Sequence, residues 1–134
     1  MLTRGEPVQI TLVNELPEAT AIHWHGIELD SYFDGVPGYS GSSGSITPSI
    51  APNGRFDVRF TPPRSGTFIY HTHSHDSGAL SKGLYGALIV VEPGQGYDPE
   101  TDHVLILGVN GSERGAAGEN DEVLLNGEVS PRLR

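Results

Sequence analysis

Two short runs carry most of the chemistry in this chain: His23-Trp24-His25 and His71-Thr72-His73. Of the six histidines present, four fall in these two His-x-His pairs. Imidazole is a common ligand for copper, zinc, iron and nickel, whereas harder ions prefer carboxylates and carbonyls. β-Branched and aromatic residues flank both pairs, Thr20-Ala21-Ile22 before the first and Phe68-Ile69-Tyr70 before the second, which reads as strand. On a strand, residues i and i+2 share a face. His23 and His25 therefore point one way together, and so do His71 and His73. Two such strands side by side present four imidazoles on one patch, and a metal site is the expected use of it.

The elements that must hold these strands follow from the rest of the pattern. Pro7 to Asn14 alternates with period two, Val8, Ile10 and Leu12 on one side and Gln9 and Thr11 on the other, as in a half-buried strand. It starts so close to residue 1 that a preceding strand of the same fold is expected to be missing. Leu16-Pro17-Glu18-Ala19 turns the chain into the first ligand strand, which is expected to run to about Leu29. From Asp30 to Asn53, Gly, Ser and Pro argue against regular structure. A loop of that length inside a compact domain tends to be functional or mobile, and Tyr32, Phe33, Val36 and Tyr39 give its first half something to pack. Arg55 to Phe60 alternates again, and Pro62 to Gly66 turns the chain into the second ligand strand. Ser74 to Gly83 is polar, with room for one helical turn. Leu84 to Val91 is nearly continuous in apolar residues, as in a buried strand. His103 to Gly108 reads as a further strand and Gly111 to Asn120 as an exposed linker. Residues 1–110 are thus expected to form one domain, and 111–134 a linker and the start of another.

Composition sets bounds. With 134 residues, 18 Gly and 10 Pro, the chain suits one all-β sandwich or barrel with a real core. Seventeen acids against eight bases give a net charge of −9, so nucleic acid and anionic membrane surfaces are poor partners. No apolar run approaches the ~20 residues of a membrane span, and no apolar segment follows Met1 to serve as a signal peptide. There is no cysteine, which excludes disulfides, thiolate metal sites and cysteine nucleophiles within the chain.

Four stretches taken in order, Ile22-His23-Trp24-His25-Gly26, Asp34-Gly35-Val36-Pro37-Gly38, Gly66 to His73 and Gly83 to Val90, closely resemble the multicopper oxidases of the laccase-like group. The match runs from about Arg4 to Glu92, over the domain that carries His-Trp-His-Gly and His-x-His. The resemblance implies a Greek-key β-sandwich of cupredoxin type. It also implies copper-dependent oxidation of an organic or metal substrate, with reduction of dioxygen to water. By the same resemblance, His23 would be a ligand of the type 2 copper, and His25, His71 and His73 would bind the type 3 pair. The family's cluster uses eight histidines, and one such domain supplies four. A partner cupredoxin domain, or a second copy of the chain in a homo-oligomer, would supply the rest. Asp34 falls where the family keeps an acid tied to proton delivery, although an Asp before Gly is also a simple turn starter.

The family's cysteine-bearing strand is absent, so this chain cannot build the electron-entry copper and is expected to be inactive alone. It reads as one domain of a longer oxidase. Two other readings compete with the oxidase domain. One is a cupin-like mononuclear site in which Glu28 joins His23, His25 and a later histidine. The other is a non-catalytic copper-binding module. Outside the two pairs, His75 reads as a surface residue or a neighbour of the ligands and His103 as exposed. Trp24 reads as core, and Arg55, Arg59 and Arg64 as surface partners of the acids.

Overall fold

A computed structural model describes residues 1–73, 79–80, 82–110 and 122–129. His75 lies outside them. The described residues are almost wholly strand, turn and loop. The first strands are β1 (Leu2–Thr3), β2 (Val8–Val13) and β3 (Ile22–His25), followed by the short pair β4 (Gly41–Ser42) and β5 (Ser45–Ile46). Then come β6 (Arg55–Phe60), β7 (Gly66–Thr72), β8 (Tyr85–Val91), β9 (Leu107–Asn110) and β10 (Glu122–Leu125). Among the described residues no helix is long and apolar enough to cross a membrane.

Two sheets form the sandwich. One has the order β1-β8-β7-β3 and the other pairs β2 with β6. The alternation in β2 and β6 produces this packing directly. Val8 faces Phe60, Ile10 faces Val58 and Leu12 faces Phe56 across the antiparallel pair. On the reverse side Thr11 donates to Asp57 at 2.7 Å and Arg59 donates to Gln9 at 3.0 Å. From the larger sheet, Ile22, Trp24, Phe68, Leu88 and Val90 meet Val58 and Phe60 in one core. Val58 is 1% exposed and Trp24 3%. Burying side chains of this size is worth about 1.5–3 kcal/mol each, and this burial is the main force holding the sheets together.

Four expectations change in detail. Residues 2–3 do form a strand, paired parallel with Val90 and Val91 on β8. The first ligand strand is shorter than its composition suggests: Gly26 adopts φ +87° and ends it after His25. The long loop after Asp30 contains a small hairpin, where Ser43 (φ 52°) and Gly44 (φ 82°) supply the two left-handed residues of a tight turn between β4 and β5. Finally, the later strand starts at Leu107 rather than His103. Residues 104–106 are tied instead by the Asn126 side chain, which donates to the Val104 carbonyl and accepts from the Ile106 N–H. That strand pairs with β10 in a separate ribbon.

Candidate metal centre

The pairing of β3 with β7 places His23 directly opposite His71 and His25 opposite Ile69. Because the inner face of both strands is spent on Ile22, Trp24 and Phe68, the histidines emerge on the outer face. There the His23 ring lies 5.4 Å from His25, 5.4 Å from His71 and 5.5 Å from His73, centroid to centroid. His25 and His71 are 5.7 Å apart, and His71 and His73 6.1 Å. Nitrogens of His23, His25 and His71 all fall within 4.8 Å of one another. His73 completes the patch at its rim, with its backbone N–H bonded to the Ala21 carbonyl at 3.0 Å. All four histidines of the two pairs are thus brought together, and His103 is exposed, as expected.

Hydrogen bonds settle which ring nitrogens face the site. Nδ1 of His23 lies 2.8 Å from the carbonyl oxygen of Asp34, and Nδ1 of His71 lies 2.8 Å from that of Thr72. A carbonyl only accepts, so each Nδ1 carries a proton, and Nε2 is the nitrogen each ring would offer a metal. His25 is turned the other way: its Nδ1 lies 3.5 Å from Nε2 of His71. Two imidazole nitrogens bound at 2.0–2.1 Å to one tetrahedral ion, taking His–zinc bond lengths, stand about 3.3 Å apart. The donor set therefore fits an ion held between His71 and His25. Three or four imidazole nitrogens and no thiolate suit copper and other borderline metals.

Asp34 is positioned by a chain of local causes. Asp30 caps the short 3₁₀ turn Ser31–Phe33 through the Tyr32 N–H at 2.8 Å. Tyr32 and Phe33 then pack against Phe56 of β6, ring centroids 5.7 and 6.2 Å away. Behind the turn, Thr47 donates to the Tyr32 carbonyl at 2.8 Å and shares a 3.0 Å hydrogen bond with Ser40. At Gly35 (φ +78°) the backbone passes so close to β3 that a Cβ would collide with the Ile22 carbonyl. This approach delivers the Asp34 carbonyl to His23 and leaves an Asp34 carboxylate oxygen 3.3 Å from the same Nδ1. Asp34 closes the turn through its backbone N–H, which donates to the Ser31 carbonyl at 3.2 Å, and its carboxylate stands beside His23.

Three features were not legible beforehand. Asn14, 3% exposed, donates to the carbonyls of Glu18 and Ile50, both at 2.8 Å, and accepts from Leu16 at 3.0 Å. It thereby fixes the corner that leads into β3; an Asn before a turn is the signal that was available. The Thr72 carbonyl, which orients His71, left no trace in residue type. Arg64 was read as a surface partner of acids, and it does pair with Glu28 at 3.0 Å. With both of its carboxylate oxygens on Arg64 Nε, Glu28 is committed away from the cupin-like role.

A family profile described as multicopper oxidase matches residues 1–95. The chain is 39% identical over 105 residues to a copper resistance protein A homolog of Pseudomonas syringae pv. tomato, covering 77% of this chain and 16% of that protein. It is 36% identical over 110 residues to laccase-2 of Cryptococcus neoformans var. grubii, covering 77% and 17%. Among solved structures, Lac15 from a marine microbial metagenome superposes with a TM-score of 0.63 at 35% identity, covering 92% of this chain and 33% of that one. The chain belongs to the multicopper oxidase family, and its fold is the family's cupredoxin-type sandwich. It spans about a sixth of the length of the curated relatives it matches, 16% for the copper resistance protein A homolog.

Proposed function

We propose that this chain is the part of a multicopper oxidase that supplies His23, His25, His71 and His73, half of the ligands of a trinuclear copper cluster. The observation that carries this reading is the outer-face patch itself, where His23 and His71 are held proton-outward by backbone carbonyls and present free Nε2 atoms. In the assembled protein, His23 would serve the type 2 copper, and His25, His71 and His73 the type 3 pair. Bound copper would supply the four-electron reduction of dioxygen to two waters, the electrons coming from an organic or metal substrate. This chain's own residues orient the ligands, keep the His23 and His71 rings in one tautomer, and place the Asp34 carboxylate where it can pass protons toward the site. Electron entry needs a cysteine-ligated copper elsewhere in the protein, because this chain has none.

The other four ligands would come from a partner cupredoxin domain or a second copy of the chain. The β9–β10 ribbon supports a neighbour in the longer protein. Val109 faces Val123 and Leu107 faces Leu125 across it, and Leu107 (74%) and Val123 (66%) are exposed. An apolar face of this kind suits the start of a following domain. In the isolated chain, symmetric pairing with the histidine faces opposed is the route to a complete set.

Copper content against intact mass tests the ligand set: the wild-type chain should retain copper, and His23→Ala/His71→Ala should lose most of it. Full occupancy in that double variant would sink the assignment. A magnetically coupled copper pair, silent in electron paramagnetic resonance, separates the cluster reading from a single-copper module, which gives a signal. Sedimentation with and without a chelator tests the pairing. If oligomer mass ignores copper removal, the histidine faces are not the contact.

A further inference from the structure

The backbone ladder between the two ligand strands stops at His25 and Ile69, and Gly26 then turns away with φ +87°. His25 is thus the last and most exposed residue of its strand. Its ring meets those of His23 and His71, but among the described residues its nitrogens have only the 3.5 Å approach to His71, whereas His23 and His71 each rest on a carbonyl. Something else must hold this end of β3 against β7, because a ligand whose backbone can swing does not keep a metal geometry.

Arg64 occupies that place. It stands just before β7, and its guanidinium donates to the Gly26 carbonyl, the residue directly after His25. The same group places Nε 3.0 Å from both carboxylate oxygens of Glu28. Its carbon lies 4.7 Å from the centroid of the Phe68 ring, and Phe68 is a buried core residue on β7. The planar head therefore reaches two residues just past the end of β3, Gly26 and Glu28, while stacked on Phe68 of β7. An exposed ion pair by itself is worth little. A planar fork that stacks, binds a carbonyl and grips a carboxylate together is a different device, and lysine cannot reproduce it.

We propose that Arg64 is a positioning residue for the metal centre, a side-chain clamp that carries the β3–β7 connection past the end of the backbone ladder and fixes where His25 presents its Nδ1. The inference rests on the copper reading above and deepens it. Arg64 touches no ligand nitrogen; it acts through the Gly26 carbonyl.

The test is a copper-affinity measurement by competition with a chelator on the full 134-residue chain, with Arg64→Lys, Arg64→Ala, His25→Ala and the His25→Ala/Arg64→Lys double variant. Far-UV circular dichroism identifies variants that fold, and Arg64→Lys keeps the charge if Arg64→Ala does not fold. Arg64→Lys should bind copper about tenfold more weakly, the scale seen when groups that orient ligands are lost. In the His25→Ala background the same change should cost nothing further, because there is no longer a ring to position. A general loss of structure would lower affinity equally in both backgrounds, so an additive double variant overturns the proposal. Wild-type affinity in Arg64→Lys overturns it as well, while leaving the ligand set standing. A wild-type chain that holds no copper overturns the copper reading and this inference together.

Discussion

The two faces of the β3–β7 pair put one alternation to opposite uses. On the inner face Ile22, Trp24, Phe68 and Thr72 are buried, and their work is packing. On the outer face stand His23, His25, His71 and His73, half-buried or exposed, and their work is to be free to bind. Trp24 lies between His23 and His25 in sequence yet faces the core. Its ring packs 6.1 Å from Phe60 and 5.9 Å from Tyr70, centroid to centroid. The pleat thus separates stability from chemistry at a spacing of one residue. The core can fix the positions of the histidines without taking any of their nitrogens.

This separation makes the largest predicted effects mirror images. His23→Ala/His71→Ala should abolish most copper binding yet leave the metal-free chain within about 1 kcal/mol of wild type, as expected of substitutions away from the core. Trp24→Ala should cost about 3–5 kcal/mol in urea unfolding, with copper retained in the fraction that stays folded. A histidine pair whose loss unfolds the metal-free protein would break the comparison. Trp24→Phe sharpens it. The indole Nε1 is buried with no hydrogen-bond partner among the described residues, so its removal gives up packing volume and none of the described bonds. The expected cost is about 1 kcal/mol, below that of a typical aromatic truncation.

A smaller effect should come from Gly35, where a loop crosses from fold to site. Gly35→Ala places a Cβ at φ +78° and against the Ile22 carbonyl, a conformation costing about 1–2 kcal/mol for an L residue. Relief of that contact must move the Asp34 carbonyl off His23 Nδ1 and free the ring to change tautomer. Stability and copper affinity should therefore fall together, unlike either variant above. Unchanged affinity in a destabilised Gly35→Ala would show that His23 does not depend on this loop.

Much of this was readable from residue order because strands have a short period. His23 and His25 share a face whatever they pair with, and the same holds for His71 and His73. Trp24 had to point inward once its neighbours pointed out. Register was not readable: that His23 faces His71, rather than His73 or Tyr70, depends on contacts between segments far apart in sequence. The Arg64 clamp was missed for the same reason, since its decisive partner is a backbone carbonyl and carries no residue signature. β1 escaped notice because two residues show no alternation. The β4–β5 hairpin escaped because its strands are small and polar, although Ser43-Gly44 is a turn signal. In each miss the information lay in a long-range or backbone contact, not in side-chain chemistry.

The smallest predicted effect compares the two edges of the four-stranded sheet. At the β1 edge Arg4 pairs with Glu92 at 2.8 Å, and Ser65 donates to the same carboxylate at 2.7 Å. At the β3 edge Arg64 pairs with Glu28. The hydrogen bond from Arg4 first, then that from Ser65, holds Glu92 below the usual carboxylate range. The hydrogen bond from Arg64 first, then a backbone bond, does the same to Glu28. A carboxyl whose folded value is depressed contributes stability that is present above its ordinary range and lost as pH falls through the folded value. Between neutral pH and the ordinary carboxylate range neither clamp should weaken; below it both should release. Both carboxylates are exposed, so the contribution is small and salt-screened. Thermal melts of the metal-free chain should show Glu92→Gln and Glu28→Gln each flattening the acid limb slightly, with the difference shrinking in high salt. Only the β3 clamp adjoins the histidines. Glu92→Gln should therefore leave copper affinity at neutral pH unchanged, and a loss of affinity in that variant would show that the two edges are not independent.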